Sequence, residues 1–115
     1  MLKLWCGLMG NIYKNVKLDL SANTATTLYT SPTATVGIFS SIIVSNDSGS
    51  ADTITLTITN VSNAVFSLFK VLPVGANTSL ELLTRSLVVN EGEILKVTAA
   101  TADRLHVVGS FLEIN

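Results

Sequence analysis

Thr53-Ile54-Thr55-Leu56-Thr57-Ile58-Thr59 alternates aliphatic and hydroxyl side chains at every second position. This is the period of a pleated strand and not of a helix. The isoleucine and leucine side chains therefore share one face, and the threonine side chains share the other. The run predicts a strand that packs its aliphatic face into a core.

The same period continues on both sides of this run. Residues 14–20 place Val16 and Leu18 inward and Lys17 outward. Further strands are predicted at residues 38–44, 65–71, 80–83, 87–89, 94–99 and 105–114, with a possible short one at 26–29. Turn-forming residues separate the runs at about the spacing expected of a sandwich.

The predicted fold class is an all-β antiparallel sandwich, jelly-roll-like, of about eight strands. Short connections favour antiparallel order, because parallel strands need crossovers of about a dozen residues. An immunoglobulin-like sandwich is the near alternative, although its Cys, Trp and Cys pattern is missing. Residues 79–86 fit helical spacing, but the β-branched residues that follow them favour an extended chain.

The chain has 115 residues, enough for one hydrophobic core and no second domain. Charged residues make up 13% of the sequence, about half the usual share, and the net charge is −1. Its polar surface is therefore mostly hydroxyl, from 14 threonines and 12 serines. No basic cluster is available for phosphates, so no nucleic acid partner is expected.

Residues 1–10 are apolar and are predicted to form an N-terminal arm ahead of a sandwich domain at residues 11–115. The arm is far shorter than the roughly 20 apolar residues of a membrane helix, so no membrane partner is expected. It also lacks the cleavage pattern of a secretory signal. Either it docks on a neighbouring subunit, or it is a leader upstream of a start at Met9. The docking hypothesis uses the following side chains: Leu2, Leu4, Trp5, Leu8 and Tyr13.

The sequence predicts no enzyme, with no catalytic residues, no cofactor and no metal site. His106 lies in an apolar strand without a nucleophile motif, and Cys6 has only Lys3 nearby to activate it. One cysteine and one histidine cannot build an ordinary zinc site. Asp47 and Asp52 flank a loop that could offer oxygens to Ca²⁺, but turn formation explains both residues without an ion.

The sequence offers two further candidate sites, an acidic turn and a set of aromatic rings that could bind carbohydrate. Glu91-Gly92-Glu93 places two like charges around a turn, and a solvated hairpin tip explains them. A carbohydrate platform would need exposed aromatic rings, for which Trp5, Tyr13 and Tyr29 are the candidates. Most of the seven aromatic residues are expected in the core.

Two predicted strands, residues 38–44 and 65–69, carry apolar side chains on both faces. Such a strand has to be covered twice, by its own second sheet and by a neighbour or a loop. Together with the apolar arm and the scarcity of charge, this pattern predicts a homo-oligomer. We expect a trimer or other cyclic assembly whose interfaces bury on the order of 1,600 Å² or more.

Several turn and strand runs between residues 14 and 114 carry a resemblance to a known class of proteins. They are LYTSP at 28–32, SSIIVSNDSGSADT at 40–53, LPVGANT at 72–78, LVVNEGEILKV at 87–97 and ATAD at 100–103. These runs are similar to those of small all-β virion proteins of tailed bacteriophages. The resemblance implies a virion location and a capsid decoration or cement subunit that contacts the major capsid protein or other virion proteins. The alternative it leaves open is a tail, neck or fibre accessory module that contacts host-surface glycans.

Overall fold

The computed structural model describes residues 10–115, which form nine β-strands and no helix. Accordingly, this part of the chain contains no helix that could cross a membrane. The strands are, in chain order, β1 (Asn11–Asp19), β2 (Thr26–Thr30), β3 (Val36–Asn46), β4 (Asp52–Thr59), β5 (Val65–Val74), β6 (Thr78–Glu81), β7 (Leu87–Val89), β8 (Ile94–Ala99) and β9 (Leu105–Ile114).

The nine strands form two antiparallel sheets. Sheet 1 has the order β1-β9-β3-β6, and β7 pairs with the first residues of β3 on the same edge as β6. Sheet 2 has the order β2-β8-β4-β5. The predicted all-β antiparallel sandwich is confirmed. The described residues contain nine strands because the short run at Thr26–Thr30 also pairs, with β8.

The alternation of β4 has the predicted consequence for packing. Ile54 and Leu56 are fully buried, whereas Thr53 and Thr55 are only half-buried. Each aliphatic side chain of this kind contributes about 1.5–3 kcal/mol by leaving water. The hydrophobic core contains the following residues: Leu20, Leu28, Phe39, Ile42, Val44, Ile54, Leu56, Val74, Leu82, Val89, Leu95, Val97, Ala99, Leu105, Val107 and Phe111.

An aromatic cluster joins the two sheets at one end of the core. Phe39 and Phe111 of sheet 1 stack with ring centroids 4.6 Å apart, and Tyr29 of sheet 2 packs edge-to-face with Phe39 at a centroid distance of 5.2 Å. Gly37 makes room for the tyrosine, because a Cβ at this position would lie 2.8 Å from Tyr29 Cε2. The glycine is therefore needed for the close approach of the two sheets.

Residues 79–86 are extended or irregular and contain no helix, as predicted. β6 ends at Glu81, whose carboxylate accepts hydrogen bonds from the Ser41 hydroxyl and from the backbone NH groups of Ile42 (2.8 Å) and Leu83 (3.2 Å). Partial burial alone would raise the pKa of Glu81, but these three hydrogen bonds together lower it. The carboxylate thus holds β6 beside the bulge of β3 that lies between Phe39 and Ser41.

Asn46, at the end of β3, organises the loop that follows it. Its Nδ2 donates to the carbonyl oxygens of Ser50 (2.9 Å) and Val74 (3.2 Å). Its Oδ1 accepts from the backbone NH (3.0 Å) and the hydroxyl (2.8 Å) of Ser48. The side chain is buried, and its hydrogen bonds connect β3 of sheet 1 to β5 of sheet 2.

β5 is an edge strand of sheet 2 and is irregular. Its pairing with β4 shifts register twice, and Pro73 has no NH to offer. Val71 has a φ of 52°, which costs a β-branched residue about 1–3 kcal/mol, and its NH donates to Thr55 Oγ1 at 3.0 Å. These features interrupt the row of free backbone groups that a regular edge strand would present.

Candidate assembly surfaces

Residues 10–115 enclose no cavity for a ligand, and they bring together no three histidine, cysteine, aspartate or glutamate side chains that could hold a metal ion. What these residues do present is a few small clusters of ionisable side chains and two exposed apolar surfaces. Of the acidic residues that the sequence analysis considered, Asp47 lies beside another ionisable side chain, and the others accept hydrogen bonds from backbone NH groups.

His106 lies on the outer face of sheet 1, in register with Asp19 of β1. Its Nε2 is 3.4 Å from Asp19 Oδ1, and its Nδ1 is 3.7 Å from Asp47 Oδ2. All three side chains are exposed to a large extent. An exposed pair of this kind contributes about 0–1 kcal/mol when the imidazole is protonated.

Asp47 and Asp52 do not converge on a common point. Asp47 faces His106, whereas Asp52 is buried and accepts backbone NH groups from Thr53 (2.8 Å) and Thr101 (3.2 Å). Asp52 therefore connects the start of β4 to the loop between β8 and β9. The loop between the two aspartates is organised by Asn46 and not by an ion.

The interpretation of Glu91-Gly92-Glu93 as a solvated tip is incomplete. The Glu91 carboxylate accepts a hydrogen bond from the Ala34 backbone NH, and Glu93 Oε1 accepts one from the Asn90 NH at 2.9 Å. Ala34 has a positive φ of 58°, and the bond that its NH donates to Glu91 holds its loop against the turn between β7 and β8. The two carboxylates thus fix neighbouring loops.

A third carboxylate, Glu113, is buried near the end of β9 and bridges the two sheets. Its Oε1 lies 2.7 Å from Lys14 Nζ on β1, and its Oε2 accepts the hydroxyl of Tyr29 on β2 at 2.6 Å. The bonds from Lys14 and then from Tyr29 lower the pKa of Glu113 against the opposing effect of burial. Burial and the bond to Glu113 raise the pKa of Tyr29, which keeps it a neutral donor.

We expect Glu113→Gln to lower the free energy of unfolding by about 1–2 kcal/mol at neutral pH. Lys14 and Tyr29 contact different oxygens of Glu113, and the amide replaces one of these acceptors with an NH2 group that only donates. It also removes the negative charge that faces Lys14. Because the folded pKa of Glu113 lies below its ordinary value of 4.5, the carboxylate contributes fully above about pH 4.5. Its contribution is lost as pH falls through the folded pKa. Urea unfolding at a series of pH values measures the difference.

Asp103→Asn is the matched control, because Asp103 is exposed and asparagine tolerates its φ of 67°. We expect its unfolding free energy to stay within about 0.5 kcal/mol of the wild-type value. A gap between wild type and Glu113→Gln that stayed constant from pH 7 to strongly acidic pH would contradict the role assigned to the carboxylate.

The first apolar surface is the outer face of sheet 1, which we call the sheet 1 face. Val88, Ile38, Leu112 and Tyr13 lie side by side in one row across β7, β3, β9 and β1. The next row outward is polar and pairs Ser110 with Ser41 and Asn15. The row after it pairs Ile43 with Val108, both exposed, and Lys17 and Glu81 lie at its two ends. Tyr13 is 85% exposed and Val88 is 48% exposed. No charged side chain interrupts the first row.

The second apolar surface, the hairpin surface, follows the β4–β5 turn and β5. It consists of five exposed side chains: Val61, Val65, Phe66, Leu68 and Val71. Val65 lies opposite Thr59 and Phe66 lies opposite Ile58, so these two side chains point to opposite faces of β5 and the surface extends around the edge of the strand. Val61 is 71% exposed and Phe66 is 55% exposed. Phe66 and Tyr13 are thus exceptions to the expected burial of most aromatic residues. Residues 60–69 contain no charge, and Lys70 is the one charged residue on β5.

The outer face of sheet 2 next to β5 has a different composition. Thr53, Thr55 and Thr57 line β4, and Thr98 lies opposite Thr55 on β8. This hydroxyl face is stable in water, whereas the two apolar surfaces would gain by leaving it. Within residues 10–115, two apolar surfaces are therefore exposed, and they are located on different sheets.

The predicted docking residues divide into two groups. Tyr13 lies on the sheet 1 face, adjacent to the last strand of the chain. Leu2, Leu4, Trp5 and Leu8 lie outside the described residues, as does Cys6. The strand pattern with apolar residues on both faces pointed to β3 and β5, but it did not identify Val88 or Val61, which lie in short or turn segments.

Tyr29 is not available as an aromatic platform for carbohydrate binding. Tyr29 is half-buried, packs against Phe39 and Phe111, and donates its hydroxyl to Glu113. Its ring is therefore part of the core and offers no platform for a sugar. Of the three candidates, Tyr13 is the one that the described residues show exposed, and a single ring does not make a platform.

Comparison with known proteins supports the fold. No protein-family model and no curated protein matches the sequence. A solved structure of a Bacillus endospore appendage, from a family of disulfide-linked pili, is similar to this chain with a TM-score of 0.56 and 14% sequence identity. The match covers 99% of this chain and 98% of the pilus chain. At this identity, the likeness shows a common sandwich fold.

The predicted role as a bacteriophage capsid decoration subunit is wrong, because the similar structure is a bacterial appendage and not a phage protein. The tail, neck or fibre alternative, the virion location and the capsid partners receive no support either. The physical reason is that the runs behind the resemblance are turn and strand patterns. Such patterns specify a sandwich, and one fold serves many functions.

Proposed function

We propose that this protein is a non-enzymatic structural subunit that assembles with copies of itself into an extracellular filament or ring. The observation that carries the proposal is the pair of uncovered apolar surfaces on a domain with few charges. An isolated soluble domain of this size usually has about twice the charged fraction found here. Contact between copies removes both surfaces from water without burying an unpaired ion.

The similar appendage structure supports assembly of this type, since its family forms pili. That family is disulfide-linked, and the present sequence contains a single cysteine, Cys6. One thiol per chain can join two copies and no more, because each disulfide uses two thiols. The assembly proposed for this chain is therefore held mainly by non-covalent contacts, and it should survive a reducing agent.

The proposal also assigns a docking role to residues 1–8. Their side chains Leu2, Leu4, Trp5 and Leu8 would cover part of a neighbouring copy, as the sequence pattern predicts. If repetition of the contact brings the third or a later copy back to the first, the copies form a cyclic oligomer such as a trimer. If it does not, the copies form an open filament.

The test is the oligomeric state of the purified chain. We expect sedimentation velocity to show species that grow with protein concentration, and negative-stain electron microscopy to show rings or filaments, with and without reductant. Deleting residues 1–8 should weaken assembly while the unfolding free energy stays unchanged. A wild-type chain that remained monomeric at every concentration, with no particles on the grid, would refute the proposal.

A further inference from the structure

The sheet 1 face and the hairpin surface lie on different sheets and have different shapes. The sheet 1 face extends across four strands, whereas the hairpin surface follows the edge of a single strand. Two copies that met through the same surface would form a closed pair. Two copies that met through different surfaces would leave one free surface at each end.

We infer that the hairpin surface of one copy packs on the sheet 1 face of the next copy. This inference rests on the proposed function and specifies its contact. The occupant of the sheet 1 face is therefore a second copy of this chain, and the contact is head-to-tail. Repetition of such a contact produces a ring or an open helical filament.

The lengths of the two surfaces match. Neighbouring strands lie about 4.8 Å apart and rise about 3.3 Å per residue, so the sheet 1 face measures about 20 Å by 25 Å. The same rise makes the hairpin surface, from the β4–β5 turn to Val71, about 25 Å long. The face therefore spans about 500 Å² in projection, which is below the roughly 800 Å² that each partner contributes to a standard-size interface, so the contact belongs to the weaker class.

The charges at the borders of the two surfaces are complementary. Lys70 lies at one end of the hairpin surface, and it is the one charge on β5. Asp19 and Asp47 lie exposed at one end of the sheet 1 face, beside His106, while Lys17 pairs with Asn15 on β1. Packing that places Lys70 near the two aspartates fixes the direction of the hairpin surface on the face.

The irregular backbone of β5 indicates that side chains, and not strand pairing, make this contact. The two register shifts, Pro73 and the positive φ of Val71 interrupt the free edge of sheet 2. A second strand could not pair along this edge without breaks. The exposed valine, leucine and phenylalanine side chains remain available to fill the shallow relief of the sheet 1 face.

Two double variants of the full chain test the contact. Tyr13→Glu with Val88→Glu charges the sheet 1 face, and Val61→Glu with Val65→Glu charges the hairpin surface. All four side chains are exposed, so we expect unfolding free energies within about 1 kcal/mol of wild type. Each variant alone should need at least about tenfold more protein to assemble. The control is Ala25→Glu with Thr27→Glu, at exposed positions outside both surfaces, and it should assemble like wild type.

The decisive measurement mixes the two double variants. Head-to-tail contact predicts a 1:1 heterodimer that grows no further, because one intact face meets one intact hairpin surface. Separate homodimers of the single variants, with no heterodimer in the mixture, would overturn the inference. So would two variants that both assemble like wild type, although the proposed function would then still stand. A wild-type chain that does not assemble would refute the proposed function itself.

Discussion

Phe39→Ala lowers the free energy of unfolding by about 3–5 kcal/mol, the largest loss we expect from a single substitution in this protein. Phe39 is fully buried, stacks on Phe111 and receives the edge of Tyr29 from the other sheet. Alanine removes the ring that both partners contact and leaves a cavity between rigid sheets. Urea unfolding followed by circular dichroism measures the loss.

Two control substitutions distinguish the stability lost to this cavity from a loss that any substitution in the sheet would cause. Phe39→Leu keeps much of the volume and should lose about 1–2 kcal/mol. Val88→Ala, on the exposed side of the neighbouring strand β7, should change the unfolding free energy by less than about 0.5 kcal/mol. Equal losses in Phe39→Ala and Val88→Ala would show that the aromatic cluster is not the centre of the core.

Asn46→Ala is expected to lower the free energy of unfolding by about 2–4 kcal/mol, the second largest loss. The substitution removes both hydrogen bonds to the carbonyl oxygens of Ser50 and Val74 and both bonds from Ser48. The site is buried, so water does not replace these partners without opening the loop. Urea unfolding compares the variant with wild type.

Asn46→Asp identifies which atoms of the side chain matter. It keeps an acceptor for Ser48 but places a carboxylate oxygen against the carbonyl oxygens of Ser50 and Val74. At neutral pH we expect a loss at least as large as that of Asn46→Ala. An aspartate variant as stable as wild type would mean that the two bonds donated by Nδ2 contribute nothing.

The period-two pattern predicted most of the strands because it reflects which side chains point inward. β7, β8 and β9 begin and end where the sequence predicts, and the predicted run at residues 53–59 became β4 with one further residue, Asp52. The start of β1 at Asn11 was not predictable. The first residues of β1 are exposed, and they do not follow a regular alternation of apolar and polar side chains. They are extended because they pair with the end of β9.

The polar contacts inside the sandwich could not be predicted from spacing. Glu113 occupies an inward position that a strand pattern assigns to an apolar residue. It is acceptable there because Lys14 lies on the adjacent strand and Tyr29 reaches it from the other sheet. Those neighbours are about 100 and 84 residues away along the chain, and no local pattern connects them. Asn46 was identified as a turn residue, but its bond to Val74 depends equally on the packing of the two sheets.

The assembly surfaces were predictable in part. Apolar residues on both faces of β3 and β5 indicated that each strand needs a second cover, and Ile43, Phe66 and Leu68 are indeed exposed in the single chain. The sheet 1 face as a whole was not predictable, because it joins side chains from four strands whose order the sequence does not reveal. Likewise, the turn and strand runs that resemble phage proteins determine the shape of the domain. They do not determine which partner it binds, so the phage role inferred from them was wrong.

The pairing of β1 with β9 has a consequence for the order in which the domain folds. These two strands lie side by side, with Asn11 opposite Ile114, so the pair forms only after both ends of the sandwich have been synthesised. Topologies dominated by such distant pairings fold slowly. Because the sheet 1 face includes β9, a nascent or half-folded chain does not yet have it. In the proposed assembly, the contact through the sheet 1 face therefore becomes available only after β9 has taken its place between β1 and β3.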